Sequence, residues 1–229
     1  MIHVGSSFSC CPDVLVDPSI ALVSHFLSAI GLDPDRAGKV VEPLHAWLHD
    51  VVAWNRRIDL TAARDESELL DLMFADAVVL AERLPSGEHR VVDVGTGAGA
   101  PGIPLAILRP ELGMTLVEPL QKRVALLRMT AGKLQRSGVC AIDVIRGKGE
   151  DVVGGTDGAK FDVALSRATL APPAWLELGA RLADEVVVMV AQHDAPTLDG
   201  WGAIDDHRYR WPLTGAERRL IRYRRACVP

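Results

Sequence analysis

The sequence predicts an α/β fold: a mostly parallel sheet with helices on both faces, closed by an antiparallel C-terminal hairpin and preceded by a helical N-terminal segment. Three observations predict it. From residue 90 onward, short β-branched runs alternate with helical stretches, the pattern of a parallel sheet. A glycine-rich turn, "DVGTGAGAPG", joins the first such run to the first helix after it. Residues 18 to 84 keep apolar residues at helical spacing throughout.

Taken in order, Asp17-Pro18 supplies a capping residue and a proline at the first helical position, and Gly31 ends that helix. Asp33-Pro34 repeats the device, and Pro43 is expected to break or kink the second helix. Beyond it, Leu44, Trp47, Leu48, Val51 and Trp54 mark one apolar face. Asp65 and Glu68 read as a capping box before "LLDLMFADAVVLAERL". The turn cluster "PSGEH" divides a helical subdomain (18–85) from a core (86–229), and residues 1–17 read as a loose leader. In the core, strands are expected at 90–94, 114–118, 141–146, 161–165 and 185–191, with helices at 102–109, 120–137 and 172–183. "HRYRWPL" and "RRLIRYRRA", separated by "TGAE", form the hairpin.

Composition narrows the function. With 48% hydrophobic residues in 229, the chain can bury one substantial core. No apolar run reaches the roughly 18 residues of a membrane helix, and no signal peptide is evident, so a cytoplasmic protein is expected. Cys10, Cys11, Cys140 and Cys227 have neither metal-ligand nor redox spacing. A net charge of −5 argues against indiscriminate coating of nucleic acid. Against that sum, the hairpin gathers Arg208, Arg210, Arg218, Arg219, Arg222, Arg224 and Arg225 around Asp205, Asp206 and Glu217. Such a run is either a solvated edge or a face that contacts phosphates. Alternate strand positions place Arg222 and Arg224 on one face as a matched pair for the second role.

The glycine turn admits two ligands. Gly97-x-Gly99-x-x-Gly102 satisfies the dinucleotide fingerprint, in which a pyrophosphate sits near the first glycines. Asp93 would then confront phosphate with a second negative charge. Asp93-x-Gly95-x-Gly97-x-Gly99 is instead the nucleotide loop of S-adenosylmethionine (SAM)-dependent methyltransferases, whose ligand carries an ammonium and a sulfonium. Glu118, at the end of "MTLVEP", is placed to receive ribose hydroxyls of either ligand. Asp93 selects SAM.

With those residues in place, the chain resembles the RsmG (GidB) family, bacterial methyltransferases of a guanine N7 in small-subunit ribosomal RNA. The likeness runs from about residue 20 to the C-terminus and rests on "WNRRIDLTAARD", "DVGTGAGAPGIPLAILRPE", "LVEPLQKRVALLR" and "SRA" (166–168). It implies a Rossmann-like SAM-dependent methyltransferase with a seven-stranded sheet and an antiparallel last strand. It further implies that Gly95, Thr96, Gly97, Gly99 and Ala100 line the SAM site with Asp93. Glu118 would hold the ribose, Gly149 and Glu150 would flank the adenine, and Arg167 would sit where cofactor and target meet. Lys122 and Arg123 are either a solvated helix face or RNA or cofactor contacts, and Trp54 and Asn55 fix the subdomain to the core.

Several positions depart from the family. Met73 and Ala77 stand where relatives have a histidine and a serine around the aspartate, leaving Asp76. The lysine expected after the fifth strand is replaced around Ala191-Gln192, and Ala98 and Ala100 stand where proline and leucine are usual. The expected partner is therefore small-subunit rRNA or its ribonucleoprotein, bound by a monomer. A small molecule or peptide remains open as an alternative acceptor, and a non-enzymatic SAM-binding, ribosome-associated protein as a third reading. Methylation of guanine N7 needs no proton removed, in keeping with a sequence that shows no catalytic pair. An oxygen or amine acceptor would need a base, for which Asp76 is the one motif-placed candidate.

Overall fold

The computed structural model describes residues 18–154, 160–167, 169–191 and 194–226. Residues 1–17, with Cys10 and Cys11, and also Ala168, Gln192 and Cys227, lie outside the described residues.

Helices α1 (Ile20–Ala29), α2 (Pro34–Asn55), α3 (Glu66–Leu70) and α4 (Asp76–Arg83) precede the first strand, with one π-helical turn at Asp71–Ala75. The cap of α1 is Ser19, whose Oγ accepts from Leu22 N, so the helix opens two residues beyond Pro18. Asp33 caps α2 as expected through its bond to Arg36 N, 3.1 Å. Pro43 does not break α2, which runs for 22 residues with Val40, Leu44, Trp47, Leu48 and Val51 buried on both sides of it. Burial of that stripe outweighs the one backbone hydrogen bond that proline forgoes. Only half of the capping box forms. Asp65 accepts from Glu68 N at 2.8 Å, while Glu68 turns outward to the backbone and guanidinium of Arg64.

Seven strands make the sheet: β1 (Arg90–Val94), β2 (Gly113–Glu118), β3 (Ile142–Arg146), β4 (Phe161–Arg167), β5 (Ala183–Val190), β6 (Trp201–Arg210) and β7 (Glu217–Arg225). Their order is β3-β2-β1-β4-β5-β7-β6. The first five are parallel, and β7 inserts antiparallel between β5 and the edge strand β6. Strand β6 begins at Trp201, six residues before the expected hairpin arm, and ends before Trp211. Its first residues mix Trp201 and Ile204 with small and acidic ones, because an edge strand need bury little, and this hid the strand's period.

Strand alternation divides the core. Val91, Val163, Val187 and Leu220 face α1–α4, α5 (Gly102–Leu108) and α6 (Gln121–Arg136) in one continuous apolar cluster. Val92, Ala164, Val186, Val188 and Ile221 face α7 (Pro172–Leu182) on the other side. Strand order reverses between β2-β1 and β1-β4, so the carboxyl ends of β1, β2 and β4 open a crevice of the kind that takes ligands in open α/β sheets. No helix of the described residues is long and apolar enough to cross a membrane.

Candidate functional site

The glycine turn crosses that crevice, and two buried carboxylates hold it. Asp93, 1% exposed, accepts from Thr96 Oγ1 (2.7 Å) and Gly102 N (3.0 Å) through one oxygen. Glu118, 2% exposed at the end of β2, accepts from Gly97 N (3.0 Å) and Leu120 N (2.9 Å). Gly95 N bonds Val117 O at 2.8 Å, which ties the turn to the neighbouring strand.

The glycines differ in what they need. Gly95 has φ +70°, and a Cβ there would lie 2.3 Å from Thr169 Oγ1, so a side chain folded over from the loop after β4 occupies its side. Gly97 has φ +62°, and a Cβ there would meet nothing within 4 Å. Backbone at Gly97 thus faces open space that a ligand can enter. Thr96 and Ala100 are buried beside it. Gly149, opening a short 3-10 turn at Gly149–Val152, is a packing glycine, since a Cβ there would press on Leu178 and Val94 at 2.9 Å. Glu150, next to it, is exposed.

Electrostatically, Asp93 is the most strained group of the crevice. The second oxygen of its carboxylate, Oδ1, is buried without a hydrogen-bond partner among the described residues. Burial pushes the Asp93 pKa up to about 6, against the opposing pull of the Thr96 and Gly102 hydrogen bonds and the charge of Arg167. A cation brought to the mouth of β1 would relieve that strain, whereas a phosphate would add to it. The residues present therefore fit SAM, with its ammonium and sulfonium, and not a dinucleotide. The unpartnered oxygen is buried, so Asp93 acts on a ligand by its charge and by shaping the turn.

Across the crevice, Asp76 is 3% exposed and fully engaged. One of its oxygens accepts from Tyr209 Oη and Trp211 Nε1, both at 2.8 Å, and the other from Arg167 Nη1 at 3.2 Å. Arg167 Nη1 also donates to the carbonyl of Leu72 in the π-helical turn. Asp76 therefore fixes the orientation of Arg167, the last residue of β4. With three donors on its two oxygens, Asp76 is placed as an acceptor that positions Arg167. Met73 and Ala77 are buried core residues beside it. A second buried acid, Asp71, accepts from Thr214 N and Thr214 Oγ1, both at 2.7 Å.

In the hairpin, Arg222 and Arg224 do share a face, on which the Arg222 side chain is 14% exposed and that of Arg224 56%. Arg222 grips Glu185 with two bonds (2.6 and 3.0 Å), Arg224 adds a third at 3.1 Å, and the Glu185 side chain is 3% exposed. Both arginines thus serve a buried acid, which engages the Arg222 guanidinium twice while Arg224 keeps an exposed side chain. Asn55 accepts from Leu60 N and Thr61 N and so shapes the loop after α2, to which Arg123 adds a bond to Asp59 O at 2.9 Å. Sequence reasoning missed Thr169, Tyr209 and Trp211. The letters "YRW" did stand in the hairpin, but only as strand formers.

Two hollows flank the turn. One of about 600 Å³ lies past Glu118, with Arg57, Asp59, Leu120, Lys122 and Arg123 in its wall. The other, about 490 Å³, lies between the carboxyl ends of β4 and β5 and the start of α7, lined among others by Ser166, Thr169, Leu170, Trp175 and Val188.

Residues 41–194 match the family model described as rRNA small subunit methyltransferase G, GidB. A protein named ribosomal RNA small subunit methyltransferase G from Anaeromyxobacter dehalogenans (strain 2CP-C) is 32% identical over 211 residues, 87% of this chain and 94% of that one. A protein of the same name from Myxococcus xanthus (strain DK1622) is 30% identical over 187 residues, 77% of this chain and 84% of its own length. Among solved structures, M. capricolum TrmK in complex with S-adenosyl-homocysteine aligns with a TM-score of 0.52 over 67% of this chain and 69% of that one, at 12% identity. At that identity the likeness is one of fold.

Proposed function

The chain belongs to the GidB family, rRNA small subunit methyltransferase G, and from that premise we propose that it transfers a methyl group from SAM to a guanine N7 of small-subunit rRNA. The observation that carries the reading is the buried, half-partnered carboxylate of Asp93 behind a glycine turn whose Gly97 stands open. Such a site favours a cationic ligand without phosphate.

When bound, SAM supplies an electrophilic methyl on a sulfonium. Asp93 holds the turn closed on Thr96 and Gly102 and places negative charge at the mouth of β1. Gly97 brings bare backbone to the ligand, with Ala100 beside it, while Gly95 and Gly99 let the turn close against Thr169 and Ile103. Glu118 keeps the turn in register with β2 and offers its remaining lone pairs to ribose hydroxyls, with Gly149 and Glu150 at the adenine end. Arg167, held by Asp76 and the Leu72 carbonyl on the side of α1–α4, would meet the acceptor base as it enters the crevice.

Guanine N7 has a lone pair in its neutral form, so the protein has only to align it and exclude water. The carboxylates at the crevice support that route, because the protein uses them as hydrogen-bond acceptors, Glu118 and Asp76 through both oxygens and Asp93 through one. Mass spectrometry of small-subunit rRNA from cells with and without the gene tests the reading. One N7-methylguanine present only with the gene is expected. An unchanged rRNA, with a methylated small molecule appearing instead, would contradict it.

A further inference from the structure

The seven hairpin arginines look alike in sequence, but strand register sorts them. Arg224 lies opposite Glu185 and Arg222 opposite Val187, in the lower part of β5, and both are bound to Glu185. Arg219 lies opposite Val190, the last residue of β5, and Arg208 lies opposite Arg219. Tyr209 pairs with Arg218, one position further out. Arg208, Arg218 and Arg219 therefore stand at the carboxyl edge of the sheet, the edge on which the cofactor crevice opens.

These arginines line a hollow of about 400 Å³ with Arg210, Asp194 and Glu217. Four cations face two acids there. Arg219 is held by both oxygens of Asp206 (2.7 and 2.6 Å), and Arg210 by Glu217 at 2.6 Å. The other two cations lack a carboxylate. Arg218 lies flat on Trp211, 3.7 Å from the ring centre, and donates to the backbone of Glu217. Arg208 is exposed and forms no hydrogen bond or ion pair with any described residue, acting only through its charge on Asp206, which Arg219 already holds.

The hollow is also tied to the reacting centre. Arg167 sits opposite Met189, Met189 opposite Leu220, and Leu220 opposite His207, so β7 and β6 are two and three strands from β4. At the usual strand spacing that is about 10 and 14 Å. A stacked strand rises about 3.4 Å per nucleotide, so those distances correspond to three or four nucleotides. Trp211, under Arg218, and Tyr209 both bond Asp76, which bonds Arg167, so the floor of the hollow and the crevice are one rigid assembly.

We propose that Arg208 and Arg218 form a backbone-phosphate site for the RNA strand whose target nucleotide occupies the crevice, with Arg219 and Arg210 as its pre-paired rim. The inference rests on the rRNA reading above. It gives a net acidic chain one place to hold a polyanion, and that place is beside the crevice.

The test measures binding of the full chain to purified small-subunit rRNA between about 50 and about 200 mM salt. Arg208→Gln and Arg218→Gln are each expected to reduce the slope of log affinity against log salt by about 0.7, and the double variant by about 1.4. Arg208→Lys, which keeps the charge, should keep the slope. Arg181→Gln, at the exposed far end of α7, should match wild type. SAM affinity should be unchanged in all of them. A double variant with wild-type slope and wild-type methylation would overturn the phosphate site alone. Wild-type protein that neither binds nor methylates this rRNA would overturn the functional reading and the phosphate site with it.

Discussion

The glycine turn and the C-terminal hairpin are both built on buried carboxylates, but their partners come from different distances along the chain. Asp93 bonds residues 3 and 9 positions away, and Glu118 bonds one 21 positions away. Asp76 bonds Tyr209 and Trp211, 133 and 135 positions away, and Asp71 bonds Thr214 across 143. The turn is a local device, complete once the strand ends are in place. The hairpin is an assembled one, and its charges acquire roles only when β7 slots between β5 and β6. Local spacing therefore encodes cofactor chemistry here, while register encodes which arginines are structural.

Removing the hub of the assembled region should have the largest effect. Asp76→Ala strips three donors of their acceptor and leaves Arg167 without its partner, at an expected cost of about 3–5 kcal/mol in denaturant unfolding. Asp93→Asn is the contrasting change in the local region. Burial disfavours the Asp93 charge, so the neutral isostere should hold or raise stability near neutral pH while SAM affinity falls.

Next in size is a pair of glycine changes. Gly95→Ala drives a Cβ to 2.3 Å from Thr169 Oγ1 in a left-handed backbone, for about 2–4 kcal/mol. Gly97→Ala meets only the backbone penalty of about 1–2 kcal/mol. Equal losses in thermal unfolding would mean that Thr169 does not lie over Gly95.

Smaller still is the contrast between two arginines. Arg222→Gln leaves Glu185 with Arg224 alone and should cost about 2 kcal/mol, whereas Arg208→Gln should stay within about 0.5 kcal/mol. Similar melting curves for the two would contradict the sorting by register.

The last contrast is a pH effect. A pKa raised from 3.8 to about 6 means that folded Asp93 binds its proton more tightly than the unfolded chain does. The stability this group contributes is therefore present below 3.8 and is lost as pH rises through that window, by about 3 kcal/mol in all. A cationic ligand favours the ionised form and must expel the proton below pH 6. SAM affinity by calorimetry should rise about tenfold per unit from roughly pH 5 to 6 and level off above, and Asp93→Asn should flatten the curve.

The same contrast explains how far the sequence could be read. Strand β1 at 90–94 and the glycine turn after it were legible, because the fold of the turn depends on spacing within a few residues. Helix α2 was not broken by Pro43, because tertiary burial of Trp47 and Val51 decided its course. The length of β6 was hidden by Asp205 and Asp206, which an edge strand tolerates. That Arg222 faces Glu185, and Tyr209 faces Asp76, depends on a register with no local signal. Asp76 was found as a residue, but its three donors arrive from β4 and the hairpin, and no local signal announces them.

The central claim is that this crevice methylates a base nitrogen without a protein base. Its most direct test is single-turnover methyl transfer from labelled SAM to purified small-subunit rRNA, between about pH 6.5 and about pH 9, for wild type and Asp76→Asn. Label on a guanine N7 is expected, with a nearly flat profile for both proteins and a lower but equally flat rate for Asp76→Asn. A log-linear rise with pH in wild type that Asp76→Asn abolishes, or no label in the rRNA at all, would contradict the claim.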